Sequence, residues 1–115
     1  MTQPRFAPLP ALPYYAVIFT NQLADPALGY AAMADRIFAL AQAQPGYLGA
    51  ETTRDASGLG ITVSYWSDEA SILAWKQVSE HLIAQKMGIE SWYAHYALRV
   101  AKVERAYSGP QERSL

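Results

Sequence analysis

Cysteine is absent from this chain of 115 residues, which excludes disulfides and thiolate metal sites. The two histidines, His81 and His95, are too few and too widely spaced for a zinc motif. The formal net charge is −1, so the chain lacks the concentrated basic surface that binds nucleic acid. No apolar run approaches the roughly 20 residues of a membrane span. We therefore expect no metal, nucleic-acid or membrane partner, and a cytoplasmic location.

Apolar residues are abundant instead. Hydrophobic residues make up 51% of the chain and charged residues 17%. The length suits one domain. A small domain with this much apolar surface commonly hides part of it against a partner, so the composition predicts an oligomer.

Prolines separate an N-terminal arm from the rest of the chain. Residues 1–13 hold four of the seven prolines, residues 14–107 have the patterns of a folded domain, and residues 108–115 form a polar tail. The arm is either a disordered leader or a segment that lies over a partner subunit.

The hydrophobic pattern along residues 14–107 alternates between strands and helices. Strands are predicted at 14–22, 47–54, 60–66 and 96–107, and helices at 25–43 and from 67 onward, with an interruption at Gly88 and a short helical turn at 89–95. Asp25 and Ser67 are the predicted helix starts. The order β-α-β-β-α-β predicts a ferredoxin-like α+β fold, with a four-stranded antiparallel sheet and two helices on one face.

The first predicted strand is apolar on both faces, so neither face is expected to meet bulk water. The helices can cover only one face of the sheet. The other face therefore predicts a homodimer in which two sheets pack face to face as a dimeric α+β barrel.

The long second helix carries three candidate site residues. On a helical wheel, Gln85 lies about 80° and His81 about 120° from Trp75. Trp75 is either core packing or a pocket wall. Gln85 either bonds to the backbone or to a strand residue such as Thr62, or it contacts a substrate. One interpretation of His81 is structural, as a hydrogen-bonded or half-exposed side chain. The other is functional, as a general base or a ligand, because histidine titrates near neutral pH.

Aromatic residues flank this helix in sequence. Trp66 and Tyr65 occupy the end of the third strand, and one of them must face the helices. Trp92 and Tyr93 either line the open end of a cavity between helix and sheet or form the rim of a dimer interface. Asn21, at the end of the first strand, is either a turn residue or a further site candidate.

Five segments of the chain carry a resemblance to a known family: PGYLGAE, GITVSYWSDEASILAWK, SEHLIAQ, WYAHY and RVAKVERAY. Together they resemble the antibiotic biosynthesis monooxygenases over residues 14–107, and more narrowly a branch of small bacterial proteins grouped with the heme-degrading monooxygenases. The resemblance implies a dimeric α+β barrel with a cavity between helices and sheet in each subunit. Some members of the family oxidise polycyclic aromatic substrates with O₂ and without metal or flavin, and others bind heme and cleave it.

The resemblance also implies site residues. The heme-degrading members use an asparagine on the first strand, a tryptophan on the long helix and a histidine ten positions later. Asn21 and Trp75 match the first two, but Gln85 stands where the histidine would be. An amide is a poor iron ligand compared with imidazole, and His81, one turn earlier, replaces it only if the helix shifts.

The leading hypothesis is a homodimeric, cofactor-independent monooxygenase that acts on a small aromatic or hydrophobic substrate. Trp75 would form the pocket wall with Tyr65 or Trp66, and His81 or Gln85 would orient or deprotonate the substrate. The alternatives are a heme-binding or heme-degrading monooxygenase, and a non-enzymatic dimeric module for ligand binding or stress.

Overall fold

The chain folds into a four-stranded antiparallel sheet with two helices. The elements are β1 (Tyr14–Leu23), α1 (Tyr30–Gln42), β2 (Tyr47–Arg54), β3 (Leu59–Trp66), α2 (Glu69–Lys86) and β4 (Tyr93–Val103). The computed structural model describes residues 5–25, 29–86 and 92–110, and of residues 82–86 it describes the backbone alone. The strands lie in the order β2-β3-β1-β4. This order confirms the predicted ferredoxin-like α+β fold class.

The strand register divides the side chains between two faces of the sheet. Asn21 of β1 pairs with Gly60 of β3 and with Tyr96 of β4. Every second residue along the regular parts of the strands shares that face, and the register shifts at the start of β4 and the start of β2 interrupt the alternation. The same face carries Trp66, whose ring stacks on Trp75 of α2. We therefore call it the helix-side face, and we call the opposite side of the sheet the open face.

Two tryptophans are the most deeply buried large side chains among the described residues. Trp66 is 0% exposed and Trp92 is 2% exposed. Trp66 lies between Tyr47, at 5.5 Å between ring centroids, and Trp75, at 6.1 Å. Trp92 forms the buried cluster with Met33 of α1. The aromatic contacts thus anchor α2 over β3 and α1 beside the start of β4.

The first helix begins later than the sequence predicts. Gly29 precedes it with φ of 80°, a left-handed conformation through which a right-handed helix cannot continue. The predicted start at Asp25 is therefore wrong, and Pro26 falls outside the described residues.

The second helix is capped by Asp68 rather than by Ser67. Asp68 Oδ1 accepts a hydrogen bond from the Ser71 backbone N–H at 2.8 Å, near the helix start at Glu69. The backbone N–H of Ser67 instead donates to the Gly46 carbonyl oxygen at 2.8 Å. This bond ties the turn before β2 to the start of α2.

The last strand lies at residues 93–103 rather than at the predicted 96–107, because β1 determines where a backbone partner exists. β1 extends to Leu23, which pairs with Tyr93, and begins at Tyr14, which pairs with Val103. The predicted helical turn is therefore wrong for residues 93–95, which are strand, while Gly88 and residues 89–91 lie outside the described residues.

The described part of the N-terminal arm lies against the open face of its own sheet. The backbone N–H of Ala7 donates to Glu51 Oε2 at 2.9 Å, and the Tyr65 hydroxyl donates to Glu51 Oε1 at 2.9 Å. Phe6, beside this contact, is 84% exposed.

Within the described ranges, the structure has no helix with the length and apolar character to cross a membrane.

Gly46 provides a stability test, because its φ is 85° and an added Cβ would lie 2.6 Å from Ser71 Cβ. We expect Gly46→Ala to lower the free energy of unfolding by about 2 to 4 kcal/mol, from left-handed strain and overpacking. Gly29→Ala is the matched control, since its φ is 80° and nothing lies within 4 Å of the new Cβ. Urea denaturation should show a smaller loss there, about 1 to 2 kcal/mol. Equal losses would contradict the close approach of Ser71.

The cap of α2 should make stability depend on pH. The hydrogen bonds from Ser71 lower the pKa of the Asp68 carboxyl. The stability that this cap contributes is therefore present above the unfolded pKa of about 3.9 and is lost as the pH falls through the lower folded pKa. Asp68→Ala should lower the unfolding midpoint at pH 7, and the difference from the unmodified protein should shrink below pH 4 or so. Asp68→Asn, which caps without titrating, should retain most of the stability at both pH values.

Candidate functional site

A buried amide lies at the helix-side end of β1. Among the described residues Asn21 is the buried polar side chain, with 2% of it exposed. Its Oδ1 accepts a hydrogen bond from Arg54 Nη2 at 2.8 Å, while its Nδ2 has no hydrogen-bond partner within the described ranges. The arginine determines the amide orientation, because a flipped amide would point two donors at each other. Nδ2 is therefore a buried donor without an acceptor in the part of the chain that the structure describes.

Arg54, the last residue of β2, connects this amide to its surroundings. Its Nη1 donates to the Gly58 carbonyl oxygen, and its Nη2 also donates to the Tyr30 hydroxyl at 2.9 Å. The guanidinium lies over the backbone of Gly60, where an added Cβ would be 2.6 Å from Arg54 Cζ. Its Cζ is also 5.3 Å from the centroid of the Tyr30 ring. These contacts hold a positive charge at the junction of three strands and α1.

Aromatic rings surround the guanidinium on the helix side. Tyr30 lies 5.8 Å from Tyr93 and 6.5 Å from Trp92, measured between ring centroids, and Tyr93 lies 5.3 Å from Phe19. Burial raises the pKa of the Tyr93 phenol, and the neighbouring Tyr30 raises it further. Tyr93 therefore keeps its proton at neutral pH, and its hydroxyl is hydrogen-bonded to that of Tyr30.

An apolar surface continues from this polar cluster along β1 and β4. Phe19 pairs with Leu98 and Val17 with Val100, so these side chains share the helix-side face. Tyr96, Leu98 and Val100 are 44%, 51% and 48% exposed. We call these five residues the helix-side apolar surface. Because α2 is anchored over β3, the β4 half of this surface is open to a ligand.

The structure decides which residue of the third strand meets the long helix. Trp66 stacks on Trp75 with an interplanar angle of 24°, so these two predicted residues are brought together on the helix side. Tyr65 lies on the open face, 5.8 Å from Tyr14 between ring centroids. Burial, and then its hydrogen bond to Glu51, raises the pKa of Tyr65 to about 12. Tyr65 therefore lies on the opposite side of the sheet from Trp66 and Trp75.

Of the two predicted acid–base residues of α2, the structure describes the side chain of His81 alone. His81 is exposed and makes no hydrogen bond or ion pair among the described residues. Glu80, its neighbour, forms an ion pair with Lys76 at 3.8 Å. Gln85 lies in α2, and its side chain is outside the described part of the chain.

Asn21, Trp92 and Tyr93 are therefore the predicted residues that the fold gathers around one centre. The sequence analysis missed Arg54 and Tyr30, which connect them. A signal existed in the hairpin: β2 and β3 pair so that Arg54 lies opposite Gly60, and Asn21 pairs with Gly60 from the other side. A glycine with a long cation on one flank and an amide on the other predicts that the cation crosses the glycine to reach the amide.

Within the described ranges no group of three or more histidine, cysteine, aspartate or glutamate side chains is arranged to hold a metal ion.

Comparison with known proteins adds a family to this geometry. No protein-family model matches the chain. The uncharacterised protein YqjZ of Bacillus subtilis (strain 168) is 48% identical over 96 residues, which are 84% of this chain and 84% of YqjZ.

Two solved structures share the fold at low sequence identity. A Nitrosomonas europaea protein with the provisional name antibiotic biosynthesis monooxygenase superposes with a TM-score of 0.60 at 11% identity, over 83% of this chain and 91% of its own. SnoaB, a cofactor-independent oxygenase from Streptomyces nogalater, superposes with a TM-score of 0.54 at 12% identity, over 86% and 97%. The chain therefore belongs to the same protein family as YqjZ and has the fold of the antibiotic biosynthesis monooxygenases.

Proposed function

We propose that this protein is a cofactor-independent monooxygenase that oxidises a small aromatic or hydrophobic substrate on the helix side of its sheet. The observation that carries the proposal is the helix-side apolar surface, which is exposed along β4 and ends at the buried polar cluster of Asn21 and Arg54. An apolar lining with a few convergent polar groups is the usual composition of a small-molecule site. The description of SnoaB as a cofactor-independent oxygenase supports the reaction class.

The residues take separate roles in this proposal. Phe19, Leu98 and Val100 hold the apolar body of the substrate, while the stacked pair of Trp66 and Trp75 closes the β3 side. Apolar contacts of this kind exclude water from the reacting atoms.

Polar residues orient and activate the substrate. Asn21 donates a hydrogen bond to a substrate oxygen and stabilises the negative charge that forms there when the substrate loses a proton to solvent and its carbanion reacts with O₂. Oxidation of a phenol to a quinone by O₂ places one oxygen atom on the ring and releases the other as water, so the substrate itself supplies the electrons.

Oxygen uptake with a panel of quinols and phenols, without added cofactor, tests this function. Leu98→Glu places a charge on the helix-side apolar surface at a residue that is already 51% exposed, so folding should be retained. We expect kcat/KM to fall by at least about tenfold, because an apolar substrate cannot compensate the buried charge. Leu73→Glu is the control: Leu73 is 58% exposed and lies about 160° from Trp75 around α2.

The outcomes separate the enzyme from a binding module. Oxygen uptake that is lost in Leu98→Glu and retained in Leu73→Glu supports the proposal. Ligand-induced thermal stabilisation without oxygen uptake across the panel would replace it with the non-enzymatic module.

Heme is not proposed as a cofactor, because no observation favours it. Iron binding by the route of the heme-degrading relatives needs imidazole where this chain has Gln85. The alternative histidine of α2, His81, is exposed.

We also propose that the protein acts as a homodimer that buries the open face. Leu59 and Ile61 of β3 are 45% and 40% exposed on that face, beside Ile18 and Val63. Apolar residues in a row on an open sheet face are a typical interface core.

Sedimentation at micromolar concentration tests the dimer. We expect a dimer for the unmodified protein and a folded monomer for Ile61→Glu, because two opposed carboxylates would be buried at the interface. Leu73→Glu, on α2, should remain dimeric. A monomeric unmodified protein would contradict the proposal.

A further inference from the structure

The charge of Arg54 has no counter-ion in the part of the chain that the structure describes. The one ion pair there joins Lys76 and Glu80 on α2, away from β2. Arg54 uses three N–H donors on neutral oxygens, those of Gly58, Asn21 and Tyr30. A guanidinium has five donors, so two remain for another partner. Carboxylates and phosphates are the acceptors to which a guanidinium binds most strongly.

The unpartnered Asn21 Nδ2 lies on the same side. It belongs to the amide whose oxygen receives Arg54, so this buried donor is adjacent to the guanidinium. Buried polar atoms in native proteins are almost always paired, which makes an unpaired donor informative.

A purely structural role for Arg54 explains only part of this arrangement. Its three hydrogen bonds join the ends of β1 and β2, the turn before β3 and the start of α1. A neutral side chain could make such links. Apart from the contact with the Tyr30 ring, they leave the positive charge without an anionic partner, and they leave the amide N–H without an acceptor among the described residues. The remaining donors and the charge favour an anionic acceptor.

We propose that Arg54 and Asn21 bind the carboxylate of an apolar carboxylic acid whose hydrocarbon part lies on the helix-side apolar surface. The two N–H groups of Arg54 that remain, one on Nη1 and one on Nε, can each donate to a carboxylate oxygen, and the Asn21 amide N–H offers a further donor. The adjoining Phe19 and Tyr96 rings, 5.7 Å apart between centroids, begin the apolar part of the site.

A phosphate ester fits the position less well, since a dianion calls for more than one cation. The other cation on the helix-side face of β4, Lys102, pairs with Tyr15 at the far end of β1. The inference rests on the proposed function in one respect, namely that the acid occupies the same site as the oxidised substrate.

The test compares three naphthalene ligands on the unmodified protein by titration calorimetry. We expect 2-naphthoate to bind at least about tenfold more tightly than 2-naphthamide, which has the same shape without the charge. The neutral phenol 2-naphthol should bind no better than the amide. This comparison requires no variant and therefore does not depend on the folding of one.

Two variants then locate the carboxylate. Arg54→Gln should bring 2-naphthoate down to the affinity of the amide. Gly60→Ala keeps the charge, but its new Cβ would displace the Arg54 guanidinium, which is the flexible end of that side chain. The affinity for 2-naphthoate should therefore fall in this variant too. Arg36→Gln removes an exposed arginine from α1 and should leave binding unchanged.

Each outcome decides one of the two proposals. Equal binding of naphthoate and naphthamide, tighter binding of 2-naphthol, or undiminished binding in Arg54→Gln would overturn the carboxylate site. If neutral quinols support oxygen uptake but 2-naphthoate does not bind, the carboxylate site is overturned and the proposed oxygenase activity is retained. Naphthoate binding that depends on Arg54 without oxygen uptake from any substrate supports the site and contradicts the oxygenase.

Discussion

The pairing of β1 with both β3 and β4 is the constraint on which the rest of this structure depends. Because β1 lies in the centre of the sheet, its register places Asn21 beside Gly60 on one side and Tyr96 on the other. The ends of β1 also decide where β4 can start and stop, since a strand needs a backbone partner for its hydrogen bonds. A shift of one residue would move Asn21 to the opposite face and separate it from Arg54.

The two faces of the sheet have different chemical characters as a result. The helix-side face carries a cation and a buried amide at one end and exposed apolar residues along β4. The open face carries Leu59 and Ile61, with Tyr65 bound to Glu51 under the N-terminal arm. A polar end beside an apolar surface suits a small amphipathic molecule, whereas a row of exposed aliphatic residues suits a second sheet. One sheet can therefore support a site and an interface at the same time.

Prediction succeeded where local pattern decides the structure. The second strand, residues 47–54, was predicted with its observed bounds, since β-branched residues between a Pro-Gly turn and an Asp-Ala-Ser-Gly loop leave little choice. It failed where a distant backbone decides. Tyr93 and His95 look like a helical turn in sequence, yet they are strand because the end of β1 lies beside them. The helix α1 begins only after Gly29, because this residue has a left-handed conformation that the helical pattern of the sequence does not reveal.

The sequence by itself determined the order of elements, the fold class, and Asn21, Trp75 and Trp92 as residues worth attention. Periodicity and turn chemistry are local properties, so they can be read along the chain. Only the tertiary structure decided that Trp66 rather than Tyr65 meets α2, and that Arg54 crosses Gly60 to reach Asn21. Arg54 and Asn21 are 33 positions apart, and their contact exists because two strand registers meet at one glycine. Such a contact is a property of the assembled sheet, and no local pattern encodes it.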